Sequence, residues 1–366
     1  CRVWGNYRMI NRKITLLGPE GTNIYVIFQL LLFNVISWFT LFNITTELSF
    51  NLENILVRQI IFTLLGLIVF FFFTYIPVSN IASLSTALMI SSTILLLGVL
   101  FTEESLGARR RYDLGIFDFQ PSEFTKVIFV IFLANSLSKK RNNIFTVALV
   151  ITNLLLIYIQ PDLGTTIILL MLVFFLFFLT DVKFKNIVAF SLLTFVAFFV
   201  LLEFNLVNTF QIERITDFYS NDVKDFSQQQ SRLQVSLGGL LGENFSNTSN
   251  IDIFVPVQTT DFIFSSFSKS FGFLGCIVLL GFWVTFGLRV YLLINKTDSN
   301  FEKFLLSGFI ILLFLQISIN IATVLGLIPL TGDPFPLLSL GGSSIIAISS
   351  IFGIINRIFI ENNLVI

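Results

Sequence analysis

The chain contains no histidine. That absence removes Ser-His-Asp and Cys-His catalysis, imidazole metal ligands and histidine proton relays together, so any acid–base chemistry falls to carboxylates or lysine. Cysteine is almost as scarce. Cys1 stands at the chain start and Cys276 in an apolar run, which gives neither a disulfide framework nor a thiolate metal cluster. Charged residues make up only 12% of the 366, balanced at 22 basic against 22 acidic, so no basic field marks a nucleic-acid ligand. Walker loop, dinucleotide fingerprint, Gly-x-Ser-x-Gly and Cys-x-x-Cys are all missing.

What fills the chain is apolar: 55% of residues are hydrophobic and 46 are Phe. Between residues 24 and 355 there are about ten apolar runs, the seventh at 187–202 and the eighth at 262–293. At about 1.5 Å of rise per residue, most can cross a ~30 Å hydrocarbon core. The expected fold is therefore an all-α polytopic integral membrane protein of about ten transmembrane helices. No linker or tandem repeat interrupts the series, so residues 1–366 read as one domain. Lys139, Lys140, Arg141, Lys183, Lys185, Arg289, Lys296 and Lys303 fall on alternate connections, which places those connections and both termini on the cytoplasmic side.

On the opposite side lies a polar segment, residues 203–260, between the seventh and eighth runs. A loop of roughly sixty residues in an otherwise apolar chain needs a reason to exist. Asp261 closes it, where it would open a helix. A carboxylate there can serve as a general base at neutral pH or simply cap the helix. Arg109, Arg110 and Arg111 form a cationic cluster on the same side, against the charge rule that orients the chain. Such a cluster suits a phosphate or pyrophosphate anion, with lipid headgroups or Glu103 and Glu104 as the plainer partners. In Gln120-Pro121-Ser122-Glu123, Glu123 can pair with Lys126 one turn on, either as a structural ion pair or as a substrate contact. Gln160-Pro161-Asp162 divides a long apolar stretch, and Asp162 reads as the cap of the helix that follows. Within the long loop, Gln228 to Arg232 lead into Gly238-Gly239, a partly helical, glycine-hinged pattern. Near the end, Pro329, Pro334 and Pro336 with Gly332, Gly341 and Gly342 exclude a straight helix and predict a partly re-entrant loop on the same side.

Taken in order, Gly107-Ala108-Arg109-Arg110, Asp113-Leu114-Gly115, Gln120-Pro121-Ser122-Glu123 with Lys126, Gln160-Pro161-Asp162-Leu163-Gly164-Thr165, Thr260-Asp261-Phe262-Ile263-Phe264 and Gly341-Gly342-Ser343-Ser344 resemble the FtsW/RodA, or SEDS, family. The resemblance runs from about residue 20 to 360. It implies a ten-helix peptidoglycan glycosyltransferase that polymerises lipid II at the outer face of the bacterial cytoplasmic membrane. A class B penicillin-binding protein and other divisome or elongasome membrane proteins would be its partners, with or without a divalent cation (Mg or Mn) as helper. Asp261 matches the family's loop aspartate, the proposed base. Arg110, Glu123 and Lys126 match further motif positions, and Gln160, Asp162, Arg232 and Ser343 complete the expected substrate-binding set. The chain departs from the family pattern at Arg111, Val257, Thr259, Lys269, Ser270 and Leu340. Two other functions stay open: a lipid II flippase, and a scaffold for the transpeptidase whose catalysis has weakened.

Overall fold

A computed structural model describes residues 23–44, 54–103, 109–115, 118–139, 144–180, 226–243 and 253–362. In chain order the helices are α1 (Ile24–Ile44), α2 (Ile55–Tyr75), α3 (Val78–Val99), α4 (Pro121–Ser138), α5 (Ile144–Ile159), α6 (Leu163–Phe178), α7 (Phe226–Leu237), α8 (Ile263–Lys296), α9 (Asn300–Val324) and α10 (Gly342–Glu361). A two-residue hairpin, β1 (Tyr112–Asp113) with β2 (Asp118–Phe119), pairs antiparallel before α4. Six helices, α1, α2, α3, α8, α9 and α10, are long and apolar enough to cross a membrane. α5 and α6 are apolar but shorter, and α4 carries buried Glu123 and Lys126. Nine of the ten expected apolar runs are thus helical, and the seventh, 187–202, lies outside the described residues. The chain is an integral membrane protein by these spans.

In a lipid-facing bundle apolar contact does not by itself hold helices together, so interhelical polar contacts and close packing matter more than in water. Several buried polar side chains here bond to a neighbouring helix. Thr63 donates to Asn34 Oδ1 at 2.9 Å and Gln59 to Ser37 Oγ at 2.8 Å, joining α2 to α1. Asn135 donates to Ser85 at 2.6 Å, tying α4 to α3, and Asn153 to Thr93 at 2.8 Å, tying α5 to α3. α2 and α10 approach closely because small residues lie between them. A Cβ at Gly353 would stand 2.5 Å from the Phe70 carbonyl oxygen, and one at Gly66 would stand 2.6 Å from Ser349 Oγ.

The polar helix α7 is explained by what it covers. Gln228 Nε2 donates to the carbonyls of Thr323 and Ile328 at 3.1 and 2.9 Å, and Ser231 Oγ donates to that of Val324 at 2.8 Å. The Thr323 and Val324 carbonyls belong to the last turn of α9 and that of Ile328 to the loop beyond it, so α7 closes off the end of α9. Ser265 at the start of α8 donates to Gln234 Oε1 at 2.6 Å. Beyond α7 the chain enters a break in α8. Gly272 has φ 67°, and the Phe273 and Leu274 N–H groups there donate to the carbonyls of Gly239 and Leu240 at 3.0 and 3.1 Å. Gly242, with φ 82°, lies backbone to backbone against Gly272, where a side chain on either would collide. Lys269 pairs with Glu243 at 3.4 Å across the same junction.

Gly353→Leu should force α2 and α10 apart and destabilise the bundle by about 1–3 kcal/mol. Thermal unfolding of the purified protein in detergent would show this as a lowered midpoint, and an unchanged midpoint would remove the close approach from the fold's supports.

Candidate functional site

Five helices, α2, α4, α6, α8 and α10, begin at one end of the bundle, where α9 ends and the loop 325–341 follows. A cleft of about 270 Å³ opens there. Arg58 and Phe62 of α2 form one wall, with Arg111, Asp118, Gln120 and Glu123 along the hairpin and the start of α4. Thr260, Asp261, Gly332, Pro334 and residues 340–344 close it. The starts of α2, α4 and α10 line the cleft directly, and helix N-termini carry partial positive charge and N–H groups without intrahelical partners that favour an anion there.

Asp261 is half-buried in the turn before α8. It is not the helix cap: Phe262 takes that position and α8 begins at Ile263. The capping alternative therefore fails, because the turn 257–262 places the carboxylate one residue too early. Asp261 Oδ2 and Arg110 Nη1 come together over Gly332, at 3.7 and 3.9 Å from the point where a Cβ on that glycine would sit. Arg110 is half-buried, and its Nε has no hydrogen-bond partner although it is shielded from solvent. Arg58 Nε is in the same condition. Arg111 is more exposed and pairs with Asp118 at 3.3 Å.

Beneath the cleft floor lies an ionic layer. Lys126, 1% exposed, pairs with Glu123 Oε1 at 2.8 Å and stands 3.9 Å from Asp333 Oδ1, with Asp162 also in its field. Asp162 caps α6 as the sequence pattern predicts, accepting from Thr165 N at 3.3 Å and from Ser122 Oγ at 3.1 Å. One ammonium thus faces three buried carboxyl groups. Asp333 lies in the loop 325–341, outside the helices. Burial pushes its carboxyl from 3.8 up to about 8; Lys126 pulls it down, while Asp162, Glu123 and Asp261 push it further up. Its Oδ2 has no partner and packs against Gly164.

Of the eight expected site residues, Asp261, Glu123 and Ser343 line the cleft, and Arg110 flanks Gly332 together with Asp261. Ser343 accepts from Gln120 N and donates to the Asp118 carbonyl, both at 3.0 Å, so it fixes the hairpin to α10. Lys126 and Asp162 lie in the layer below. Gln160 and Arg232 are not brought in. Gln160 is buried with its amide on the Leu96 carbonyl at 2.8 Å, and Arg232, on α7, lays its stem over Gly326, 3.1 Å from a Cβ there. Their expected substrate contacts therefore have no counterpart in the cleft lining. Arg58, Asn320, Asp333 and Ser339 are not marked as site residues by any sequence motif; Asn320 alone leaves a signal, a carboxamide inside an apolar run. Among the described residues no three Asp, Glu or Cys side chains converge as a metal cage.

Comparison with known proteins follows the same residues. A family model described as "Cell cycle protein", covering FtsW, RodA and SpoVE, matches residues 22–364. Stage V sporulation protein E of Bacillus subtilis is 32% identical over 305 residues, 79% of this chain and 82% of that protein. Peptidoglycan glycosyltransferase MrdB of Escherichia coli K12 is 28% identical over 306 residues, 80% of this chain and 82% of that one. Probable peptidoglycan glycosyltransferase FtsW of Haemophilus influenzae is 30% identical over 325 residues, 84% and 81% of the two chains. Among solved structures, a chain of a peptidoglycan synthase complex that coordinates polymerization and crosslinking superposes with TM-score 0.74 at 25% identity, covering 92% of this chain and 97% of that one. RodA of Thermus thermophilus has the same fold, with TM-score 0.68 at 24% identity over 92% and 96%.

The raised Asp333 carboxyl gives a signed pH dependence. Between about pH 4 and pH 8 the folded protein holds a proton that the unfolded chain has released, so stability falls as pH rises through that window and the loss is complete above it. Asp333→Asn cannot release the proton. Its melting midpoint should exceed that of the parent most at pH 8 to 9, with the gap closing toward pH 4 to 5; parallel curves for the two proteins would show that Asp333 does not titrate as described.

Proposed function

Because the chain belongs to the FtsW/RodA/SpoVE family of cell cycle proteins, we propose that it is a peptidoglycan glycosyltransferase that polymerises lipid II, with Asp261 as general base. The observation that carries this reading is a cleft lined by the half-buried carboxylate of Asp261 and by the guanidinium groups of Arg58 and Arg111, with Arg110 flanking Gly332 together with Asp261. A sugar hydroxyl of one lipid-linked substrate attacks the anomeric carbon of the other. Its proton passes to Asp261 as the new C–O bond forms, and the bond to the lipid pyrophosphate breaks with inversion. The leaving group takes the electron pair. Arg110 and Arg111 stabilise that developing charge, and the three helix N-termini that line the cleft supply a local field of the same sign. Only binding that strengthens in the transition state accelerates the step, and a guanidinium whose Nε lacks a partner is free to make it.

The finer topology belongs to the same proposal. With ten spans and both termini in the cytoplasm, the cleft faces outward, where lipid II is presented. A class B penicillin-binding protein then crosslinks the strands. That pairing is supported by the similarity to a peptidoglycan synthase complex that coordinates polymerization and crosslinking. A divalent cation has no ready cage among the described residues, and no step here is routed through one. Passage of substrate through the bundle is disfavoured, since many polar side chains of the helix interiors are committed to helix–helix hydrogen bonds. The scaffold reading weakens too, because Lys269, one of its supporting departures, is answered by Glu243.

The test is polymerisation of labelled lipid II by purified protein with its penicillin-binding partner. Asp261→Asn should lower chain growth by about 10²–10⁴-fold, and growth at the parental rate would remove Asp261 from the base role. Arg110→Ala should cut turnover by about 10²-fold or more with membrane insertion unchanged; loss of folded protein instead would make Arg110 a structural residue.

A further inference from the structure

Three successive carbonyls, those of Thr259, Thr260 and Asp261, are held from outside their own turn. Leu340 N donates to the Thr259 carbonyl at 2.9 Å, Ser339 Oγ to that of Thr260 at 2.6 Å, and Asn320 Nδ2 to that of Asp261 at 2.9 Å. The donors come from the loop 325–341 and from α9, not from α8, which Asp261 precedes. Asn320 uses its second amide hydrogen on the Asp333 carbonyl, also at 2.9 Å. Both its acceptors are carbonyls, so the amide orientation is fixed by chemistry.

Two details show that these bonds are retained at a cost. Asn320 is 1% exposed and its Oδ1 has no partner, an unfavourable state for a buried amide. Val257, which opens the turn and accepts from Thr260 N and Phe262 N, has φ 56°, a conformation a β-branched residue adopts only when its surroundings impose it. Unsatisfied acceptors and strained turns persist where geometry is over-determined. Here the over-determined segment ends on the carboxylate-bearing residue.

We propose that Asn320 and Ser339 are positioning residues: they fix the backbone of Asp261 so that its carboxylate meets the acceptor hydroxyl in the geometry of proton transfer. The proposal rests on Asp261 acting as the base. Ser339 is well placed for the task because its hydroxyl also accepts from Phe335 N at 2.8 Å, which aims its proton at Thr260. Asn320 spans the two walls of the cleft, the turn before α8 and the loop that carries Gly332 and Pro334. Releasing it frees Asp261 to drift by a fraction of an ångström without touching any substrate contact. Proton transfer is steeply sensitive to such displacement, whereas substrate affinity, set by the arginines and the helix ends, is not.

The variants are Asn320→Leu, of similar volume and without donors, Ser339→Ala, and Ser339→Thr, which keeps a hydroxyl. Each is measured beside the parent and Asp261→Asn for kcat and KM with lipid II, and for the fraction of folded protein. Asn320→Leu and Ser339→Ala should lower kcat per folded molecule by about 10–100-fold with KM within about 3-fold, while Ser339→Thr stays close to the parent. If both donor-less variants keep the parental kcat per folded molecule while Asp261→Asn is inactive, the positioning role is overturned and the bonds only hold the fold. A rise in KM with kcat unchanged would overturn it too. Parental activity in Asp261→Asn would instead overturn the reading on which the proposal rests, so the two failures are separate results.

Discussion

A single buried ammonium holds the floor of the cleft. Lys126 is almost wholly removed from solvent, and it is tolerable there only because Glu123, Asp162 and Asp333 surround it. These four groups come from α4, from the corner before α6 and from the loop after α9, three segments that otherwise meet only through apolar packing. Removing the ionised partner of such a pair, here Glu123, typically costs about 3–5 kcal/mol, because the remaining charge is left without compensation, whereas Asp333 keeps its proton up to about pH 8 and contributes as a buried neutral neighbour. The layer therefore works less as glue than as a registration device. It places α4 and the 325–341 loop at one depth, and the cleft residues follow from that depth: Glu123 is both a ligand of Lys126 and part of the cleft lining.

The backbone around Asp261 obeys a second constraint, which is geometric. α8 is broken at Gly272, so the nine residues 263–271 form a short leading segment whose orientation the rest of the helix does not set. Chain from the long loop sets it instead. Gly239 and Leu240 supply acceptors to Phe273 and Leu274, Glu243 pairs with Lys269, and Gln234 accepts from Ser265. On the far side Asn320, Ser339 and Leu340 grip the turn before it. Asp261 thus sits at the tip of a segment fastened at both ends by parts of the chain distant in sequence.

The apolar helices were legible because membrane spans announce themselves by length and composition; six pass on those grounds alone. Asp162 as a cap and the Glu123–Lys126 pair were legible because both are local, decided within three or four residues. Asp261 stood out in sequence as a carboxylate where a polar segment meets an apolar run, but its base and capping alternatives could not be separated locally, since a helix start is uncertain by a residue or two and the turn at Val257 gave no composition signal. Gln160 looked functional from its place in a motif, yet its amide was taken by Leu96 across 64 positions, a partner no local pattern discloses. Arg58, Asn320, Asp333 and Ser339 were hidden for the same reason. Their roles exist only once distant segments pack, and Asp333 in particular reads in sequence as one more residue in a proline-rich turn.

Departures from a family pattern are often taken as decay, but Lys269 argues otherwise. Lys269, one of the departures from the family pattern, would by itself place a cation in the first turns of α8. Instead Glu243 meets it at 3.4 Å, and the Glu243 N–H donates to the Lys269 carbonyl at 3.0 Å, so the pair is joined by side chain and backbone at once. Both groups are largely sheltered, which makes the match more consequential than a surface ion pair. The contact lies at the junction that orients the segment carrying Asp261. A loop that had lost its task would have no reason to keep opposite charges in register across Gly272, where the glycine backbones leave no room for error. Side chain and backbone together thus connect the long loop mechanically to the segment that carries the carboxylate.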